Sequence, residues 1–201
     1  MTETMGRRER KKAQTRQALA DAALRLFLER GYDNVGVREV AEAADVSLAT
    51  LFKHFAGKEA LVFDEDEGRE AALVAAVRDR AAGQSVIHAL RDHLMQTYAS
   101  RPGDDPGFAA YKELVESTPA LREASDRMWR RHESALTAAI AEATGAPEDD
   151  IASAALARFA LETLGLLRGR DDPPRMLGEV FALLENGWGH GPAGEASATG
   201  R

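Results

Sequence analysis

The sequence has 201 residues, of which 44% are hydrophobic and 29% charged, enough to form one globular domain or a small domain joined to a larger one. It contains no cysteine, which excludes disulfides, cysteine-ligated zinc and a thiol nucleophile. The apolar runs are too short to cross a bilayer, and no signal-peptide pattern precedes the first helix, so we expect a cytoplasmic protein without metal, cofactor or membrane contact.

Charge is distributed unevenly along the chain. The net charge is −7, but residues 1–63 hold 11 basic and 9 acidic side chains, whereas residues 64–201 hold 15 and 24. Met1–Gln17 carries six basic residues and two acidic ones. A basic end on an acidic protein predicts either local contact with a polyanion or a solvated terminus. We expect residues 1–14 to form a disordered basic arm.

The apolar pattern of residues 15–57 predicts three helices. Between Thr15 and Arg30, apolar residues recur at i, i+3, i+4, i+7 and i+8, and Gly31 ends this helix. Two helices of about eight residues follow, joined by a short turn at Asp45, and these proportions are typical of a helix-turn-helix.

Six further helices are predicted in residues 58–188, followed by a Gly-, Ala- and Ser-rich tail over 189–201 that we expect to be disordered. Ser85 is a candidate N-cap. Since no strand-like alternation persists, the predicted fold class is all-α, with a three-helix head and a six-helix body. The predicted body helices are Lys58–Ala82, Ser85–Ser100, Phe108–Glu116, Pro119–Thr144, Pro147–Leu167 and Pro174–Trp188.

The second short helix of a helix-turn-helix enters the DNA major groove with its first residues against base edges. Here that helix begins near Ser47, and Leu51 and Phe55 share a face that is expected to anchor it to the first helix. Small side chains at Ala49 and Thr50 would let the backbone approach the bases. Two lysines are suited to phosphates, whose contacts fix the register of the helix on the duplex. They are Lys53 and Lys58.

The sequence from Gly31 to Phe55, with Gly57–Leu61 after it, resembles the DNA-binding domain of TetR-family transcriptional regulators. The similarity covers Thr15–Phe63 without gaps. It implies a homodimer that binds a near-palindromic operator in double-stranded DNA, acts as a repressor and is released by a small-molecule effector. The DNA contacts that it implies come from Arg38, Ser47, Leu48, Ala49, Thr50, Phe52, Lys53, His54 and Lys58. In the alternative interpretation, Arg38 is a solvated helix charge and Leu48 an edge of the apolar stripe.

Three residues depart from the family pattern. Phe52 stands where tyrosine is usual, so the phenolic hydroxyl group is missing and the ring can still touch a sugar or a thymine methyl. Gly36 stands where a Ser or Thr helix cap is usual, which weakens the helix start by a few tenths of a kcal/mol. Asp45 stands where glycine is usual, and aspartate tolerates the left-handed conformation that the turn needs.

The body resembles a subgroup of the family thought to bind acyl-CoA or similar acyl ligands, through Asp64–Glu67 and Ser117–Arg122. This resemblance implies a lipophilic cavity, although aromatic and Met side chains at helical spacing form a core more often than a pocket. A ligand beside the predicted helix Lys58–Ala82 would tilt it and change the separation of two heads. The candidate lining residues are His93, Met95, Tyr98, Phe108, Tyr111, Met128 and Trp129, with Arg127 or His132 as further polar partners.

The last two helices carry apolar residues on more than one side, so that one face can pack on the body and another on a second copy. The candidate interface residues are Phe159, Leu164, Leu167 and Phe181, of which the last three complete the core of one chain in the alternative interpretation.

Two other classes of function remain open. The sequence lacks a nucleophile elbow, a phosphate-binding glycine loop and metal-ligand spacing, so we do not expect an enzyme. The second class is a helical partner protein that does not bind DNA. Replacing Lys53 and Lys58 with alanine distinguishes the two: a DNA-binding protein would lose affinity for all DNA sequences, whereas the partner protein retains no DNA in the first place.

Overall fold

The computed structural model describes residues 6–64, 66–99, 106–167 and 172–187, and the α-helices in these ranges confirm the all-α prediction. Short 3-10 helices lie at Tyr32–Asn34 and Glu59–Leu61. Of the described helices, none is both long and apolar enough to cross a membrane. The helices are α1 Arg7–Arg30, α2 Val37–Ala43, α3 Leu48–His54, α4 Asp66–Arg78, α5 Val86–Ala99, α6 Pro106–Ser117, α7 Pro119–Thr144, α8 Ile151–Leu166 and α9 Pro173–Asn186.

The chain divides into two compact units. The first comprises Met1–Glu67 and Asp105–Met128, and the second comprises Gly68–Asp104 and Trp129–Arg201. The predicted boundary at residues 57 and 58 differs from this division, because α6 and the first part of α7 contribute Leu114 and Leu121 to the core of the three-helix head.

The core of the first unit is built from the apolar stripes that the sequence predicts. Leu19 and Phe27 of α1, Val40 of α2, and Leu51 and Phe55 at α3 are all buried in one cluster. Because Leu51 and Phe55 lie on the same face, burying both fixes which side of α3 is left exposed.

The turn between α2 and α3 closes in a Schellman motif. The Asp45 N–H donates to the Glu42 carbonyl at 3.1 Å, and the Val46 N–H donates to the Ala41 carbonyl at 2.9 Å. Asp45 adopts φ 53°, which confirms the expected left-handed conformation. Two carbonyls at the end of α2 are thereby satisfied, and the angle between the two short helices is set locally.

The first helix begins earlier than predicted. α1 starts at Arg7, so residues 7–14, which were expected to belong to a disordered arm, are helical. These residues are helical because most of them are good helix formers, and because they extend a helix that the buried apolar residues of α1 already nucleate. Residues 1–5 and the predicted tail 189–201 lie outside the described part of the chain.

The predicted long helix Lys58–Ala82 is wrong. It is replaced by the 3-10 helix Glu59–Leu61, a non-helical segment and α4. Leu61 and Val62 are buried in the core of the first unit, which prevents this segment from following a regular helical path. At the other end, the Arg80 guanidinium donates to the carbonyls of Val77, Gln84 and Ala143, which holds the chain in a turn beyond α4.

The second unit has its own core. α5 packs against α8 and α9, and the side chains of α4, α7, α8 and α9 complete one buried cluster. The Ser85 hydroxyl accepts from the His88 N–H at 3.2 Å, which confirms the predicted N-cap of α5. The largest fully buried side chains of this cluster are Leu90, Leu94, Leu136, Ile140, Leu167, Leu177 and Phe181.

Candidate nucleic-acid interface

The exposed face of α3 carries three of the nine predicted DNA-contacting residues. Ala49, Phe52 and Lys53 are exposed, and the Phe52 side chain is an unusually open aromatic at 52% exposure. Opposite them, Leu51 is fully buried. One side of α3 therefore packs in the core, and the other side is exposed and can contact a partner. Of the other predicted contacts, Ser47 and Arg38 are exposed, while Leu48, Thr50 and His54 are partly buried.

Ser47 caps the start of α3. Its side-chain oxygen accepts from the Thr50 N–H at 3.1 Å and lies 2.8 Å from the Thr50 hydroxyl oxygen. The two hydroxyl groups therefore hold each other at the N-terminus of the helix, where unpaired backbone N–H groups and the helix dipole also favour an anion.

The start of α2 shows how the chain compensates for Gly36. The Glu39 carboxylate accepts from the Gly36 N–H at 2.8 Å and pairs with Arg30 at 2.8 Å. The hydrogen bond from the Gly36 N–H, followed by the hydrogen bond from Arg30, lowers the pKa of Glu39. The carboxylate thus ties the start of α2 to the end of α1, while Arg38 beside it stays exposed.

Arg16 holds α1 to the far end of α3, a role that the sequence does not predict, since Arg16 counts there only among the six basic residues of Met1–Gln17. Its guanidinium donates to the His54 carbonyl at 2.7 Å and to the Asp64 carbonyl at 3.0 Å, and it pairs with the Asp64 carboxylate at 2.6 Å. It also lies 4.5 Å from the centre of the Phe55 ring. The signal was available, since Arg16 stands three residues before Leu19 and so borders the buried stripe.

Lys58 faces into the head. Its ammonium donates to the Tyr32 carbonyl and lies 3.9 Å from the centre of the Tyr32 ring and 5.4 Å from that of Phe27. Burial lowers the pKa of Lys58, and nearby carboxylates of Asp33 and Glu59 oppose that shift. This lysine therefore has a structural partner already, unlike Lys53, which is exposed.

His54 lies where α1 and α3 meet. Burial, followed by the positive charges of Arg16 and Lys12, lowers its pKa, so the imidazole is neutral at neutral pH. Its Nδ1 is buried and makes no hydrogen bond within the described residues. The imidazole is therefore a neutral, partly buried group at this junction, and the backbone carbonyl of His54 accepts from Arg16.

The candidate ligand-binding residues fall in both units. Phe108, Tyr111 and Met128 belong to the first unit, where the rings of Phe108 and Tyr111 stack with centres 6.1 Å apart. Met95 and Trp129 pack against the core of the second unit, and burial lowers the pKa of His93 there. The Tyr98 side chain lies outside the described part of the structure.

The second unit also buries a histidine beside charged groups. His132 is buried, with its Nε2 4.0 Å from a Glu70 carboxylate oxygen that also accepts from Arg131 at 2.7 Å. The ring of Trp129 meets that of His132 edge-on at 5.7 Å. Of the polar partners considered from the sequence, His132 is thus the one buried in this unit beside a carboxylate.

The candidate dimer residues separate into core and surface. Leu167 and Phe181 are buried in the core of their own unit, which corrects their assignment to an interface. Phe159 is exposed, and the Leu164 side chain lies outside the described part of the structure. Two further apolar side chains of α8, Ile151 at 80% and Leu166 at 62%, are exposed as well and were missed.

Comparison with known proteins gives matches over most of the chain. Residues 19–64 match the family described as bacterial regulatory proteins, tetR family, and residues 84–189 match the MftR C-terminal domain. The chain is 34% identical to the HTH-type transcriptional regulator TcmR of Streptomyces glaucescens over 72% of this chain and 67% of that protein. It is 30% identical to the HTH-type transcriptional repressor Rv1474c of Mycobacterium tuberculosis over 87% and 92%.

The fold is also similar to solved structures. A TetR-family regulator from Streptomyces coelicolor A3 aligns with a TM-score of 0.54 at 23% identity, over 90% of this chain and 98% of that one. At this identity the likeness concerns the fold.

Proposed function

This chain belongs to the tetR family of bacterial regulatory proteins, and we propose that it is a repressor that binds a near-palindromic operator as a homodimer and leaves it when a lipophilic ligand binds. The observation that carries this proposal is the two-sided packing of α3, with Leu51 buried and Phe52 open. A half-exposed aromatic on a helix that is anchored by its other side contributes little to the core, and it is suited to sugar and thymine-methyl contacts in a major groove. A role on DNA places the protein in the cytoplasm.

Operator selection tests the proposal. The full chain is mixed with a random duplex pool, and bound sequences are recovered and amplified. We expect an inverted repeat whose half-site centres lie about 34–36 Å apart or a multiple of that distance, since two copies of α3 must each enter a major groove. Failure to enrich any sequence at low salt would exclude an operator-binding role and favour the helical partner protein.

The two lysines are expected to behave differently when each is replaced by alanine. Lys53→Ala removes an exposed cation, so affinity should fall for all DNA sequences. The slope of log K against log salt concentration should become shallower by about 0.9 for each phosphate that is no longer neutralised. Lys58→Ala removes a charged hydrogen bond to Tyr32 and should cost about 1.5–3 kcal/mol of unfolding free energy. Titrations over a range of salt concentrations, together with denaturant unfolding, separate the two effects. An unchanged salt slope for Lys53→Ala would remove it from the interface.

The ligand part of the proposal rests on the acyl-subgroup resemblance and on the buried His132 beside the partly buried Glu70 in the second unit. To displace the operator, a ligand must bind the DNA-incompetent state more tightly by a few kcal/mol. The sequence predicts that a ligand acts by tilting one continuous helix from Lys58 onwards. The ligand cannot act in that way, because the chain from Lys58 to the end of α4 is not a single helix. Acyl-CoA and fatty acids of increasing chain length, added to the operator complex, should release DNA, and constant affinity throughout would exclude the acyl class.

The homodimer part rests on the exposed apolar face of α8. Ile151, Phe159 and Leu166 fall within about 80° of one another around the helix at 100° per residue. A second copy related by two-fold symmetry would cover this stripe with the same stripe, as an isologous interface requires. An uncovered stripe of this kind is otherwise unfavourable in water.

A further inference from the structure

The first turns of α1 precede the part of the chain that matches the tetR family, which begins at residue 19. Residues 7–16 contain six basic side chains and one acidic side chain, Glu9. Glu9 lies in the first turn, where a carboxylate is favourable beside the helix N-terminus. This segment is therefore a strongly basic helical extension of the head rather than a flexible arm.

Arg16 fixes the orientation of this extension. Because its guanidinium holds the His54 carbonyl, the Arg16 side of α1 faces the end of α3. At 100° per residue, Lys12 and Arg8 lie about 40° and 80° from Arg16, on the same side of the helix. Arg7 and Lys11 lie about 180° and 140° away. Arg8 and Lys12 thus lie in one row with Arg16 along α1, whereas the equally charged pair Arg7 and Lys11 lies on the other side of the helix.

Arg8 and Lys12 are available to a partner. Both are exposed, and within the described residues neither forms an ion pair. Lys12 lies near enough to His54 for its charge to lower the pKa of that imidazole, so it sits beside the end of α3 that also carries the exposed Lys53. Lys12 and the exposed Lys53 therefore lie at the same end of α3, and Arg8 lies one turn before Lys12 on the same side of α1.

We propose that Arg8 and Lys12 form a second DNA-contacting element, a helical row that binds backbone phosphates next to those reached by α3. This inference rests on the proposed function and adds to it a contact outside the helix-turn-helix. Duplex DNA suits this surface because it offers a dense row of phosphates to cations already aligned by a helix, and such contacts give affinity without sequence preference. The acidic remainder of the chain would keep DNA on this end of the protein.

The test compares two double variants of the full chain that lose the same charge from the same helix. Arg8→Gln with Lys12→Gln removes the row, and Arg7→Gln with Lys11→Gln is the matched control. Glutamine is a good helix former, so both variants should keep the helical content and thermal midpoint of the native protein. Binding is measured against the duplex recovered by operator selection and against a scrambled duplex of equal length, over a range of salt concentrations.

We expect the row variant to lose affinity for both duplexes, with a salt slope shallower by about 0.9 for each phosphate that the row no longer neutralises, while the control changes little. Equal losses in the two variants would show a general effect of charge and overturn the proposal. An unchanged row variant would overturn it too and leave the proposed repressor function standing. If the native protein retains neither duplex, both proposals fail.

Phosphate ethylation interference on the native protein gives a readout that needs no variant. Ethylation should weaken binding at phosphates next to the half-site contacted by α3 as well as within it. Interference confined to the half-site would contradict the row.

Discussion

Glutamate in place of Phe159 is expected to convert the protein to a monomer and to lower operator affinity by about 10²–10⁴-fold, the range in which two linked binding sites exceed one. Phe159 lies eight residues after Ile151 and seven before Leu166, at the middle of the exposed apolar stripe of α8. If α8 crosses its copy there, the two-fold axis brings residue 159 close to its counterpart, and the variant would bury two carboxylates against each other. Sedimentation equilibrium and operator titration measure the two effects.

The control replaces Leu28, another exposed apolar residue, with glutamate in the first unit. It should stay dimeric, because Leu28 belongs to α1 and not to the stripe of α8. A mixture of Phe159→Glu and Phe159→Lys chains should recover dimers, since opposite charges then meet at the axis. A Phe159→Glu protein that remains dimeric would exclude this stripe as the interface.

The head could be predicted closely from sequence because its signals are local. The stripe of α1, the stop at Gly31 and the anchors Leu51 and Phe55 each act within a few residues, and the structure confirms them. The left-handed Asp45 belongs to the same class, since a Schellman motif closes over six residues. Sequence patterns predict structure well where the residues that contact one another are also close together along the chain.

The segment after the head could not be predicted because its conformation is decided by distant residues. Periodicity favours one helix from Lys58 onwards, but Leu61 and Val62 are drawn into the core of the head, and Arg16, far away in sequence, holds the Asp64 carbonyl. Tertiary contacts thus override helix propensity here. The same holds for Lys58, whose inward orientation depends on Tyr32 rather than on its neighbours.

The apolar pattern of α8 and α9 also left open which residues are core. Both helices are apolar on several sides, so periodicity alone could not separate Phe159 from Leu167 and Phe181. The packing of α5 against α9 buries Phe181, and the core of the second unit closes over Leu167 while Phe159 stays exposed. An apolar residue of these helices can therefore be assigned to a partner surface only after the structure shows that it is not part of the core of its own chain.

Leu51 and Phe52 are neighbours on α3 and are expected to give opposite results when each is replaced by alanine. Leu51 is fully buried, so Leu51→Ala should lower the free energy of unfolding by about 2–5 kcal/mol through the apolar burial that it removes and the cavity left behind. Phe52 is half exposed and contributes little to the core, so Phe52→Ala should change stability by less than about 0.5 kcal/mol. Its expected loss is in operator binding, about 1 kcal/mol per subunit, which is about 2 kcal/mol for the dimer or roughly thirtyfold in its Kd.

Phe52→Tyr is the matched control for the second substitution, since it keeps the ring and adds the hydroxyl group that the family pattern carries at this position. It should retain operator affinity while Phe52→Ala loses it, which would assign the effect to aromatic contact rather than to a change in α3. Denaturant unfolding of all three variants shows whether α3 is still anchored. If Phe52→Ala unfolds as readily as Leu51→Ala, Phe52 supports the head instead of reading DNA; if it binds the operator like the native protein, the exposed face of α3 does not enter the groove at this residue.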